Sequence, residues 1–195
     1  MVSERLQKQI DFILELDKEK NILRQTHLTN HGRRENDAEH AWHMAVMAYL
    51  LKEYSNEEVD ICKVMIMCLI HDVVEIDAGD TYCYDEEAKK SQAEREEAAK
   101  KRLFSILPED QKEELTALFE EFEAGETAEA RFAKAMDNFQ PLLLNNSNDG
   151  NDWQEHGVSA EKVYGRQGGT RLGSDELYKV TDEIIKYHKE EGHLL

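Results

Sequence analysis

Proline is nearly missing from this chain: Pro108 and Pro141 are the only two in 195 residues. So little proline leaves long stretches free to remain helical. Cysteine is scarce as well. Cys62, Cys68 and Cys83 make an odd number and no CxxC pair exists, which excludes a zinc knuckle and argues against a disulfide framework. Cys62 and Cys68 stand among methionine and isoleucine, where buried thiols are expected. No apolar run approaches the roughly 20 residues that span a bilayer. The opening "MVSERLQKQIDF" has no signal-type apolar stretch, so the expected address is the cytoplasm and no membrane partner is expected. Positive charge is short: 24 Lys and Arg stand against 42 Asp and Glu, a net charge of −18. Such a surface repels nucleic-acid polymers and anionic membranes. It leaves room for a small phosphorylated ligand, because a bound cation and a few arginines reverse the field locally.

What is present is helical pattern. Hydrophobic residues make up 40% of the chain and are spread along it, which fits one ordered domain over residues 1–195. Residues 3 to 16 put Leu6, Ile10 and Ile13 on one helical face, with Ser3 as N-cap. A helix from about 37 to 54 turns Ala41, Met44, Ala45, Ala48 and Leu51 inward. The next, about 57 to 75, is apolar nearly all round and is expected to be central and buried, with Met65 and Met67 in the core. Residues 86 to 106 read as a solvated helix, Pro108 opens a helix to Glu123, and Thr127 opens one to Leu144. "LNNSNDGND" reads as a polar loop, and the glycine-rich 165–174 as a flexible connection. Ser174 caps a last helix ending near Glu190. Trp42 and Trp153 are expected to be packing residues. The expected fold class is all-α, a compact single-domain helical bundle.

The stretch "CLIHDVVEIDAGD" ends the apolar helix with His71, Asp72, Glu75, Asp77 and Asp80. Negative charge at a helix C-terminus opposes the macrodipole, and a bound cation would offset it. His71 and Asp72 are adjacent, about 100° apart on a helix, so both can reach one ion off its flank. His40 and Asp137 are candidate partners. Asp137 interrupts an apolar helical face, where a carboxylate is costly unless it is ion-paired or metal-bound. Taken singly, Asp137 equally fits a buried salt bridge, and His40 and the nearby His43 fit satisfied helix histidines. Glu75 and Asp80 alone fit solvated helix-end acids.

Together these residues form the order His…His-Asp…Asp, with gaps of 31 and 65 residues. That order resembles the HD-domain metal-dependent phosphohydrolases. The resemblance is closest to the branch with bacterial 5′-deoxynucleotidases and the eukaryotic HD-domain-containing protein 2. It rests on "RRENDAEHAWHMA", "HDVVEIDAGD", "LPEDQKEEL" and "AEARFAKAMDNFQ", and covers most of residues 6 to 145. It implies His40, His71, Asp72 and Asp137 as ligands of one divalent ion. Glu75 would assist the attacking water, and Asp80 would be a second acidic active-site residue. Arg24 would hold the substrate phosphate. Arg33 and Arg34, before the first motif, would reach a phosphate or brace the loop. Lys89 or Lys90 could touch phosphate at the site mouth.

Two imidazoles and two carboxylates suit Mn²⁺, Co²⁺, Fe²⁺ or Mg²⁺ better than closed structural zinc, with Zn²⁺ or Ni²⁺ as ions carried through purification. The reaction expected is release of phosphate from nucleoside 5′-monophosphates, deoxyribonucleotides among them. Two other readings stay open: a phosphodiesterase or pyrophosphohydrolase on cyclic or alarmone nucleotides, and a nucleotide-binding regulator without turnover. Bacterial 5′-deoxynucleotidases carry tryptophan after the phosphate-holding arginine, to exclude a ribose 2′-hydroxyl. Here Gln25 stands there, so the sugar is left open. The resemblance also implies a homodimer.

Overall fold

Helices carry most of the described residues in the computed structural model, which describes residues 2–79 and 91–195. They are α1 (Glu4–Leu16), α2 (Asp37–Leu51), α3 (Ile61–Ile70), the four-residue α4 (Glu75–Ala78) and α5 (Gln92–Phe104). There follow α6 (Glu109–Ala124), α7 (Ala128–Ser147), the short α8 (Asn151–Glu155), α9 (Ala160–Gly173) and α10 (Asp175–Glu190). The all-α class therefore holds, with one addition. Between α1 and α2 an antiparallel ribbon pairs β1 (Leu23–His27) with β2 (Arg34–Asn36). Its sequences, "LRQTH" and "REN", are too short and polar to show an alternating pattern.

Side-chain caps set most helix starts. Ser3, Asp60, Thr127, Ser159 and Ser174 each accept a backbone N–H from the first turn that follows. Asn36 and Glu39 form a reciprocal capping box at the start of α2. Part of the "ENDAEH" motif is therefore a helix-start device, and it seats His40 one turn into α2. Gly125, with φ of 64°, closes α6 in the left-handed conformation that glycine adopts without penalty.

Two apolar clusters fill the interior. The larger joins α2, α3, α7, α9 and α10 through residues such as Met44, Met67, Phe132, Met136 and Ile185. The smaller joins α1, α4, α5 and α6 through Phe12, Val74, Leu103, Phe104 and Phe119. Each large side chain fully removed from water contributes roughly 1.5–3 kcal/mol. The chain passes from one cluster to the other along α3: Cys68 belongs to the first and Ile70 to the second. His71 and Asp72 follow at this seam.

Several expectations change. The third helix is shorter than 57–75, ending at Ile70 with His71 as its C-cap, and Glu75 opens a separate short helix. It is not buried all round: Cys62, Ile66 and Leu69 are exposed, and Met65 is only partly buried. Hydrophobicity alone does not reveal that one side of α3 has no described helix over it. Leu6, Ile10 and Ile13 are exposed too, and Phe12 is the α1 residue that enters the core. Trp42 is 63% exposed, so it is not a packing residue, whereas Trp153 is buried. Pro108 is the N-cap of α6 rather than a first-turn residue. Residues 86–90 of the expected solvated helix lie outside the described residues.

The largest corrections fall after Leu144. α7 continues to Ser147, and much of the supposed polar loop is buried: Asn145, Asn148 and Asp152 are all at most 6% exposed. Their polar groups pin the ribbon. Asn148 donates to the carbonyls of His27 and Leu28 and accepts from His31 N–H, while Asp152 accepts from His27 N–H and engages its imidazole at 2.6 Å. Residues 165–173 are helix, not a flexible connection. Their glycines serve close packing. A Cβ on Gly173 would lie 2.4 Å from the Arg131 carbonyl oxygen of α7, and one on Gly169 would lie 2.6 Å from Asn138 Nδ2.

This packing gives a direct test. Gly173→Ala should lower stability to urea by about 1–3 kcal/mol, the usual cost of overpacking. Gly165→Ala and Gly168→Ala, where an added methyl meets nothing within 4 Å, should raise it by roughly 0.5–1 kcal/mol. Equal effects at all three positions would refute the close-packing role.

Candidate metal centre

Three separate elements deliver four ligand-type side chains to one place. His40 comes from the first turn of α2, His71 and Asp72 from the turn after α3, and Asp137 from the middle of α7. His40 Nε2 lies 3.3 Å from Asp137 Oδ1 and 4.0 Å from Asp72 Oδ2. His71 Nε2 lies 3.1 Å from Asp72 Oδ2 and 3.8 Å from Asp137 Oδ1. Neighbouring ligands on an ion with bonds of about 2.1 Å sit about 3 Å apart or slightly more. The cluster His40, His71 and Asp72 meets a metal-binding geometry by itself, and Asp137 adjoins it through the two contacts just given.

The tautomers agree. His71 Nδ1–H donates to the Cys68 carbonyl at 2.9 Å, so Nε2 carries the lone pair. That nitrogen is buried and has no hydrogen-bond partner among the described residues. For His40 the orienting partner is Gln140, one turn beyond Asp137 on α7. Gln140 Nε2 donates to Glu35 Oε1 at 2.7 Å and approaches His43 Nδ1 at 3.1 Å. Its Oε1 is thereby left to accept from His40 Nδ1–H at 2.9 Å, which turns His40 Nε2 toward the carboxylates. Outer partners of this kind fix the orientation and basicity of metal-binding histidines. Gln140 and Glu35 are fully or almost fully buried, and neither was picked out from sequence. The one available signal was the spacing of Gln140, three residues after Asp137.

Electrostatics point to a cation as well. Burial opposes charge on His71, but Asp72, with Asp137 behind it, outweighs burial and raises the imidazole to about 9. Burial also opposes ionisation of Asp72, yet His71 and Arg24 hold it below the usual carboxylate range. Asp137 is held well below that range in the same way, against burial, by Arg166 and His40. His40 is lowered to about 4 by burial and the Arg24 charge. The carboxylates therefore stabilise positive charge at His71 Nε2, whether a proton or a metal ion carries it. The inward-facing Nε2, the donor set and the field all fit a divalent ion.

His40, fully buried, adjoins Asp72 and Asp137, which with His71 line a cleft of about 210 Å³. Its apolar walls include Phe119, Phe122, Leu142 and Trp153, and its polar ones Gln25, Thr26, Asn138, Asn145 and Gln167. Arg24 enters from β1, bonding Asp72 at 2.7 Å and Asp37 at 3.3 Å. Glu75 lines the cleft two residues beyond the Asp72–Val73 turn and is buried. Arg33 and Arg34 do not line it. Arg33 is exposed and pairs with Glu39, bracing the ribbon against the start of α2. Asp80, Lys89 and Lys90 lie outside the described residues. Sequence reasoning missed Arg166, which reaches Asp137 from α9, because its segment reads as flexible.

The HD domain family profile matches residues 16–177. Human 5′-deoxynucleotidase HDDC2 is 35% identical over 114 residues, covering 58% of this chain and 54% of that protein. The Dictyostelium discoideum 5′-deoxynucleotidase HDDC2 is 31% identical over 128 residues, covering 62% and 67%. The matched stretch spans about half the length of the human and bovine relatives. Among solved structures, a "Predicted metal-dependent phosphohydrolase" from Magnetospirillum magnetotacticum MS-1 superposes with a TM-score of 0.95 at 48% identity. That match covers 100% of this chain and 99% of the other. A conserved hypothetical protein from Pyrococcus furiosus shares the fold at a TM-score of 0.60 and 24% identity, over 91% and 99% of the two chains. With the profile running over most of its length, this chain is a member of the HD domain family.

Proposed function

We propose that this chain is a metal-dependent phosphohydrolase that releases phosphate from nucleoside 5′-monophosphates, deoxyribonucleotides included. The observation that carries the reading is the meeting of His40, His71, Asp72 and Asp137 around a buried imidazole nitrogen, with Arg24 beside them in a small cleft. The names of the similar proteins point the same way. His40, His71, Asp72 and Asp137 would hold one divalent ion, Mn²⁺, Co²⁺, Fe²⁺ or Mg²⁺ in this donor set. When bound, such an ion acts as a Lewis acid toward a phosphoryl oxygen and lowers the pKa of a water.

The rest of the work belongs to side chains. Arg24 presents a guanidinium at the cleft, a donor fork that matches phosphoryl oxygens. Glu75, buried and lining the same cleft, takes the proton of the attacking water or returns one to the leaving oxygen. Phe119, Phe122 and Trp153 give the nucleoside end apolar surface, and Gln25 and Thr26 border it from β1. Gln140 keeps His40 in its ligand tautomer. No described helix is long and apolar enough to cross a membrane, and Cys62 and Cys68 are free thiols, which supports a cytoplasmic setting for this activity.

A homodimer is part of the reading. Trp42, Val46, Tyr49 and Leu50 make an exposed stripe along α2, and Ile66 and Leu69 a second on the adjoining α3. Apolar exposure repeated at helical spacing on neighbouring elements marks an interaction face. Trp42→Glu should shift the protein toward monomer in sedimentation velocity. A wild type that is monomeric at tens of micromolar would remove the dimer from the account.

The activity test uses protein stripped with chelator and resupplied with Mn²⁺. Phosphate release from deoxynucleoside 5′-monophosphates should return with the metal. His71→Ala should lose at least ~100-fold in turnover, and Gln140→Leu should weaken Mn²⁺ binding by about 10–100-fold through the loss of His40 orientation. Metal-independent release, or no release from a full panel of nucleoside monophosphates, would overturn the reading. A Gln140→Leu variant with unchanged Mn²⁺ affinity would remove Gln140 from its positioning role.

A further inference from the structure

α9 is built to lie against α7 at unusually short range. Arg166, Gly169 and Gly173 follow at intervals of three and four residues, so they share one helical face. The two glycines remove the atoms that would collide with Asn138 and with the Arg131 carbonyl. The neighbouring Gln167 locks the approach, donating to the Asn138 carbonyl at 2.8 Å, and Thr170 bonds Gln167 at 2.6 Å. At the N-terminal end of this face, where the helix passes the cleft, stands Arg166. Its Nη2 lies 3.3 and 3.4 Å from the two oxygens of Asp137.

The guanidinium of Arg166 thus does to Asp137 what that of Arg24 does to Asp72, and the two arise from different elements, α9 and β1. Both line the same cleft. From this we infer that Arg24 and Arg166 form a two-arginine clamp for a dianionic terminal phosphate. Arg166 is then a substrate-binding residue that biases the site toward phosphomonoesters. The inference rests on the proposed phosphohydrolase reading and deepens it.

Charge decides between the two classes of ester. Two carboxylates cancel one divalent ion, so attraction for an anion has to come from the groups around them. Arg24, already shared between Asp72 and Asp37, offsets at most a monoanion, the charge of a phosphodiester. Arg24 with Arg166 offsets a dianion, the form a monoester largely takes at neutral pH, its second ionisation lying near pH 6. Glu75, Glu96 and Glu123 line the same cleft beside Lys134, an acidic surround that makes the second guanidinium more necessary rather than less. A purely structural Arg166, propping Asp137, would explain its contact. It would not explain why the fold brings a long cationic side chain to the cleft rather than a short neutral donor such as the Gln140 that serves His40.

The test measures binding as well as turnover. Inorganic phosphate is titrated calorimetrically into the Mn²⁺-loaded protein, and Mn²⁺ into the stripped protein, for wild type, Arg166→Gln and Arg166→Lys. In Arg166→Gln, phosphate affinity should fall about tenfold or more, the loss of one charge-assisted contact, with Mn²⁺ affinity changed less than about threefold. KM for a deoxynucleoside 5′-monophosphate should rise in step, with kcat less affected, and Arg166→Lys should recover part of the loss. Wild type should bind phosphate at least about tenfold more tightly than dimethyl phosphate, a monoanion, a comparison that needs no variant to fold. Unchanged phosphate affinity in Arg166→Gln overturns the clamp, as does parallel loss of Mn²⁺ and phosphate affinity, or equal affinity for the two probes. A wild type that binds phosphate through Arg166 yet hydrolyses no monophosphate would leave the clamp standing and overturn the proposed activity instead. A wild type that does neither would overturn both.

Discussion

Two carboxylates, Asp72 and Asp137, are held within 4.0 Å of the same pair of imidazole nitrogens, and most of the surrounding architecture answers that concentration of negative charge. Taking ionised groups out of water costs several kcal/mol each unless they are closely compensated. Here the compensation is layered. Arg24 and Arg166 lean on the two carboxylates from different elements, and both imidazoles turn Nε2 inward. The position between these groups favours positive charge. In the proposed reading a divalent ion is the occupant that would satisfy all four side chains together.

The fold places this cluster where it can be both rigid and accessible. The two apolar clusters meet at the C-terminal end of α3, so the turn that begins with His71 emerges at their seam. His71 is packed against Phe122 with ring centroids 5.0 Å apart, which ties a candidate ligand to the larger core. The capping box of α2 sets the height of His40, and the glycine face of α9 brings Arg166 within reach of Asp137. Asn148 and Asp152 hold the ribbon that carries Arg24. Each candidate side chain thus rides on an element whose position is set by packing or by buried hydrogen bonds, the arrangement that precise sites require.

Helical periodicity made α2, α6, α7 and α10 legible to within a few residues, and motif order marked out His40, His71, Asp72 and Asp137. What stayed hidden has physical reasons. The ribbon is too short for a period-2 signal. Glycines in α9 read as breakers because their purpose is contact with another helix, a tertiary fact that local propensity does not contain. Asn148 and Asp152 look solvent-loving until their backbone partners in the ribbon are known. Trp42 and Leu69 look like core, since hydrophobicity does not distinguish an interior face from one left open to a partner. Arg166 was invisible for the same reason as its helix.

The proposed site depends on one ion. Crystals grown with Mn²⁺ and measured at a wavelength where manganese scatters anomalously should show one strong peak, with His40 Nε2, His71 Nε2 and an oxygen each of Asp72 and Asp137 at about 2.0–2.4 Å from it. No peak at that place, with His71 Nε2 instead closed off by an ordinary hydrogen bond, would contradict the metal centre and the hydrolysis built on it.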